Sequence, residues 1–224
     1  MRIFGAILIV LSFISCSNRE TDEMIVNGIF QDLTFKMNIH NDGLSFCIPP
    51  PPIDYENDSL KLIDSLNYQK AIENYKSRLE EQRRKGNNIV LGIGDSLINY
   101  KEKDLEYLKK ELPSKDYLGA FYAIEKGVYE STLIDLNSIT KTGNYKLLYL
   151  STFYPLNDFW QSERDFKFSG FLQFSRIYLD NKRQYGIFYC SYSCGNLCGH
   201  GDFVLIKKIN GVWTIEKTIE VWIS

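Results

Sequence analysis

Cys190, Cys194, Cys198 and His200 bring three thiols and an imidazole close together in sequence. Such a donor set can complete a tetrahedral zinc site. Two other fates are open to the same residues. Gly195, Gly199 and Gly201 mark a tight connection with Cys194 and Cys198 on its opposite limbs. A disulfide there would staple the loop and contribute roughly 2–3 kcal/mol in the chain-entropy model. A cysteine without a partner serves instead as a small buried apolar side chain. A second group is Gly94-Asp95-Ser96-Leu97, directly after the apolar run Ile89–Ile93. Serine becomes a nucleophile when a histidine, itself oriented by an acid, takes its proton and donors await the oxyanion. The chain has two histidines, His40 and His200. A third group is the aromatic pair Phe159 and Trp160, which offers carbohydrate a surface if the rings are exposed.

Gly94-Asp95-Ser96-Leu97 resembles the nucleophile motif of the GDSL esterases and lipases. That resemblance implies Ser96 as nucleophile, an Asp-x-x-His pair near the C-terminus and a Gly-x-Asn-Asp block. Here Met37 and Leu197 stand three positions before the two histidines, and Leu156-Asn157-Asp158 replaces the block poorly. Gly-Asp-Ser also makes a good turn at a strand end. The expectation is a turn, with a serine esterase using Ser96 as the alternative.

Compartment decides among the cysteine fates. After Met1-Arg2, Ile3 to Ile14 is unbroken by charge, too short for the roughly 20 residues that cross a bilayer. It has the length of a signal-peptide core, with Ser15 as the small residue a peptidase needs. Phe13-Ile14-Ser15-Cys16 resembles the lipobox of bacterial lipoproteins, with Phe13 in place of the usual leucine. The resemblance implies cleavage before Cys16, acylation of its thiol and attachment to the cell envelope. Two or more acyl chains hold a protein stably on a membrane. Ser17, where inner-membrane lipoproteins commonly carry Asp, leans towards the outer membrane. The alternative is an ordinary signal peptide with Cys16 as one more disulfide partner. Outside the cytosol disulfides persist, so a Cys194–Cys198 bridge is expected before a metal, and no metal or cofactor is assigned. Cys47 and Cys190 either pair or remain core residues.

The net charge of −2 carries no basic footprint for nucleic acid. The partners expected are therefore the membrane, through the lipid, and an unidentified protein or glycan. Hydrophobic residues make up 44% of the chain, enough for a core, and the 15 Tyr and 14 Phe suit half-buried sheet surfaces.

The elements that must position these groups follow from periodicity. Met24, Ile25, Ile29 and Phe30 predict a short helix over 22–30. Pro49 to Pro52 force an extended segment, read as a stiff spacer or a docking motif. Asp58 or Ser59 caps a second helix running towards Gly86, with Leu60, Ile63, Tyr68, Ile72, Tyr75 and Leu79 on one face. A strand is expected from Ile89, a helix over 102–112, a β-rich segment over 145–153, and strands over 171–179, 185–192, 203–209 and 212–223. Asn210-Gly211 is a strong hairpin signal. In the last strand Trp213, Ile215, Ile219, Val221 and Ile223 are expected on one face, Lys217 being the exception. The fold class is α+β, N-terminal helices packed on a C-terminal antiparallel β-meander. Residues 1–15 are read as signal peptide, 16–57 as tether and 58–224 as a single domain.

The combination Phe174-Ser175-Arg176, Cys194-Gly195-Asn196-Leu197-Cys198-Gly199-His200-Gly201, Leu205-Ile206-Lys207-Lys208, Asn210-Gly211-Val212-Trp213 and Trp222-Ile223-Ser224 resembles the C-terminal pattern of a group of uncharacterised bacterial lipoproteins. It implies compartment and fold, and no reaction. The function expected is a membrane-anchored envelope lipoprotein acting as a non-enzymatic binding module. An esterase using Ser96 and a carbohydrate-binding lipoprotein are the alternatives.

Overall fold

The computed structural model describes residues 20–39, 89–127, 131–162, 164–195 and 197–224, with isolated helical positions between 69 and 77. The predicted signal segment, Cys16, His40, Cys47, the four prolines and most of the predicted second helix lie outside the described residues. No helix among the described residues is long and apolar enough to cross a membrane.

Helix α1 (Asp22–Lys36) starts where Thr21 accepts a hydrogen bond from the Met24 N–H and two acids sit in its first turn. It runs a turn and a half beyond the predicted end, because Leu33 and Met37 continue the apolar face begun by Ile25, Val26, Ile29 and Phe30. All six are buried in the principal core. The helix assigned to the tether is therefore part of the folded unit.

Seven strands form one sheet: β1 (Ile89–Ile93), β2 (Tyr145–Tyr149), β3 (Lys167–Phe174), β4 (Tyr178–Leu179), β5 (Tyr185–Gly195), β6 (Cys198–Ile209) and β7 (Val212–Ile223). Their order is β2-β1-β3-β5-β6-β7, with β4 also paired to β5. From β3 onwards the pairing is antiparallel, but β1 lies parallel to both β2 and β3. The expected antiparallel meander is thus the C-terminal part of a mixed sheet. β1 is buried along its whole length, as strands covered on both faces are. Helices α2 (Glu102–Glu111) and α3 (Leu118–Lys126) link β1 to β2. They cover the face opposite α1, meeting Ile187, Phe203, Leu205 and Ile219. The short α4 (Leu156–Gln161) and the 150–153 turn cover Val90, Phe168 and Phe171.

Two predicted strands change shape. The 171–179 segment breaks after Phe174. Ser175 there gives its hydroxyl to the Arg176 carbonyl and accepts the Tyr189 N–H at 2.9 Å, so a side chain replaces a ladder bond. In β7 the predicted single apolar face divides. Trp213 and Ile215 pack on the α1 side, whereas Ile219 and Val221 pack on the α2–α3 side. The cause is a bulge: Ile206 pairs with Ile215 but Leu205 pairs with Lys217, leaving Glu216 as an extra residue. One extra residue moves those after it to the other face, until a second irregularity at Val221 (Asp202 pairs with Glu220 but Gly201 with Trp222) returns Ile223 to the α1 side. Lys217, the predicted exception, now points at the end of α2 and donates to the Glu111 carbonyl at 3.0 Å. A cation suits a helix C-terminus.

Candidate functional site

The Ser96 turn is held by backbone bonds on both sides. Gly94 N–H donates to Leu172, Leu97 N–H to Thr132, and Ile134 N–H to the Asp95 carbonyl. The Asp95 carboxylate accepts the Ser151 N–H at 2.9 Å and the Ser151 hydroxyl. It is committed to the 150–153 turn and orients no base. His200 lies on the same rung of the sheet as Ile93, reached through Leu172 and Tyr192. Three strand spacings separate them, roughly 14 Å, and the Ser96 turn pairs with Leu133 and its neighbours instead of with β6. Phe159 and Trp160 are half-buried and engaged with one another and with Phe168 and Phe171, at ring separations of 4.8–5.8 Å. The Arg164 guanidinium covers Phe159 at 4.5 Å. These rings build a core margin and leave no open platform.

The cysteine group separates into two fates. Cys194 and Cys198 form a disulfide across the β5–β6 turn, with Cα atoms 5.2 Å apart. Their sulfurs are thereby withdrawn from metal ligation. Cys190 is a free, fully buried thiol among the described residues, and burial pushes its pKa well above the ordinary value. Such a thiol is inert packing.

His200 belongs to a different assembly. Along β6, Cys198, His200, Asp202, Val204 and Ile206 alternate onto the α1 face of the sheet, and Val204 and Ile206 enter the principal core. Among the described residues, that face is uncovered past the end of α1. The result is a groove of about 400 Å³ between Lys36 and Asn38 on one side and β6–β7 on the other. The disulfide forms its rim, and Thr218 and Glu220 join its wall. Glu220 stands there because the Glu216 bulge reverses the strand's faces, and it pairs directly with Asp202. Gly199 and Gly201 serve this region from the opposite face. A Cβ at either would meet the Trp222 ring, which lies across β6 and donates to the Tyr189 hydroxyl at 2.6 Å.

The charges in the groove are poorly matched. Only 9% of the Asp202 side chain is exposed, and His200 Nε2 stands 3.5 Å from its Oδ2. That contact is not a hydrogen bond: Asp202 Oδ2 is buried without any hydrogen-bond partner among the described residues. Burial, reinforced by the Glu220 charge, pushes the Asp202 pKa up to about 6. Burial also lowers the His200 pKa, against the opposing Glu220 charge and a hydrogen bond to the Met37 backbone. At neutral pH the site therefore holds an ionised Asp202 beside a neutral imidazole. The arrangement offers acceptors to a ligand.

Sequence reasoning identified His200 and missed Asp202 and Glu220. The signal for Asp202 is the period-two spacing with His200, visible once β6 is started at Cys198 instead of Phe203. Glu220 carries no such signal, because its facing depends on the bulge. Compared with known proteins, the chain matches no family model, no curated protein and no solved structure.

Proposed function

We propose that this protein is an envelope lipoprotein, anchored through acylated Cys16 and carrying a domain that binds a ligand or partner. The observation that supports this reading best is the position of Glu20. Its carboxylate meets Lys208 Nζ at 2.8 Å and Arg183 at 3.7 Å, and Lys208 further lies over the Trp213 ring. The folded unit thus includes Glu20, four residues beyond Cys16, a span of about 14 Å at full extension. An acyl anchor there holds the domain itself at the lipid surface, where a binding module meets other envelope components. Ser17 favours the outer membrane. The esterase alternative loses support from the three strand spacings between β1 and His200 and from the commitment of Asp95 to Ser151, and the glycan alternative from the packing of Phe159 and Trp160.

Intact mass and metabolic labelling with an alkynyl fatty acid test the anchor. The mature chain is expected to begin at Cys16, to carry the label and to fractionate with membranes. Cys16→Ala is expected to lose both label and membrane association. An unlabelled wild-type chain with a different N-terminus overturns the proposal.

A further inference from the structure

We infer that the groove between the end of α1 and the β6–β7 edge receives the N–H-bearing end of an organic cation, an ammonium or guanidinium group, on Asp202 and Glu220. The inference gives a ligand class to the binding reading above and is independent of the lipid anchor.

The first observation is the orphaned Asp202 oxygen. A buried acceptor without a donor is costly, and native structures retain few of them. The Asp202 side chain lines a groove large enough for the end of a ligand, with Oδ2 itself buried. The second is the opposition of Asp202 and Glu220 on neighbouring strands. Like charges directly opposite each other weaken a sheet, yet here both lie on one wall of the same groove. A cation carrying N–H donors between them removes both penalties together. It donates to the Asp202 carboxylate by a charge-assisted bond and offsets the repulsion between the two acids. The rest of the lining agrees with an organic group. Ile223 and the Cys194–Cys198 bridge give apolar contact to a carbon stem, and the Thr218 hydroxyl and Asn38 amide give polar contact. A metal ion fits less well: among the described residues, His, Cys, Asp and Glu side chains do not come together in threes at metal-binding spacing.

The groups facing Asp202 are Cys190 from β5, His200 from its own strand, Glu220 from β7 and Lys36 from α1. Lys36 is the internal rival, since its ammonium lines the same groove. It sits at the rim on an exposed position, so an external amine has access.

His200 provides the readout, with His40 as the second imidazole in the spectrum. Full-length mature protein is titrated with putrescine and with a blocked lysine tripeptide, following the His200 ring resonances. Both probes are expected to shift them saturably, and Asp202→Asn is expected to weaken binding by at least about tenfold while keeping the folded spectrum. Glu220→Gln is expected to weaken it less. Tighter binding of the peptide identifies a protein side chain as the source, and tighter binding of putrescine a free amine. Absence of a saturable shift, an equal shift with tetramethylammonium, unchanged binding in Asp202→Asn, or a shift given by zinc or calcium in place of the amines overturns the inference. A chain that proves unacylated but binds amine keeps it. An acylated chain without the amine response loses this inference alone.

Discussion

At the scale of single residues, the cost of the Asp202 carboxylate sets a measurable pH dependence. Its folded pKa of about 6 lies above the ordinary 3.8, so the folded chain keeps a proton that the unfolded chain releases between those values. The stabilisation is complete below about pH 4 and is lost as the pH rises through about 6. Asp22 acts in the same direction. Burial raises it to about 6 as well, against the Ile177 N–H and Arg176, with Glu23 adding to the rise. Each carboxyl is worth on the order of 2 kcal/mol across that window. His200 works oppositely, because its depressed pKa gives stability above 6.5 that is lost as the pH falls through the folded value. The urea midpoint is therefore expected to fall from pH 4 to pH 7. Asp202→Asn is expected to flatten about half of that decline and to raise stability at pH 7 by about 1–2 kcal/mol, since an amide avoids a buried unpaired charge. Parallel urea titrations at pH 4 and pH 7 decide it; a destabilised variant at pH 7 would contradict the assignment.

At the scale of elements, the β5–β6 hairpin shows what a sequence can and cannot disclose. The Cys194–Cys198 staple was legible because glycines bracket the turn and place the two cysteines on its opposite limbs. The Asn210-Gly211 hairpin was legible because both residues adopt positive φ, 51° and 82°, as the turn demands. The parallel placement of β1 was not legible, because a five-residue apolar strand carries no mark of its neighbours' direction. Nor was the bulge at Glu216: Val212 to Ile223 alternates nearly cleanly in sequence, and only the pairing with Leu205 and Ile206 exposes the extra residue. The bulge is what carries Glu220 to the groove, so the candidate site was hidden by the same local event. The staple closes a loop of small size (sequence separation 4) and should contribute roughly 2 kcal/mol. The Cys194→Ser/Cys198→Ser double variant is expected to lose about that much stability in urea. Unchanged stability of the double variant would mean that the pair is not oxidised.

At the scale of the molecule, the placement of α1 decides where the domain begins. A division at residue 58 treats α1 as part of a tether, yet the helix supplies Ile25, Val26, Ile29, Phe30, Leu33 and Met37 to the core that also holds Leu91, Leu172, Phe188 and Val204. The helix, together with Ile134, Leu136 and Ile139, covers this face of the sheet, and its polar contacts bind it across long sequence distances. Asn27 accepts the Thr140 and Lys141 N–H groups at 2.8 Å, Asp22 accepts Ile177 N–H at 3.1 Å, and Glu20 meets Lys208. Burial of one large apolar side chain is worth about 1.5–3 kcal/mol, and a whole domain has only about 5–15 kcal/mol to lose. Removing six such side chains exceeds that margin. A chain of residues 20–224 is therefore expected to unfold cooperatively in urea, whereas residues 58–224 alone are expected to show no cooperative transition and to aggregate through the exposed face. Phe30→Ala within the longer chain gives the graded version: a loss of about 3–5 kcal/mol, read from the same transition. If residues 58–224 fold cooperatively by themselves, α1 is an accessory after all. The groove at its C-terminal end would then lose one of its two walls whenever the helix lifts away.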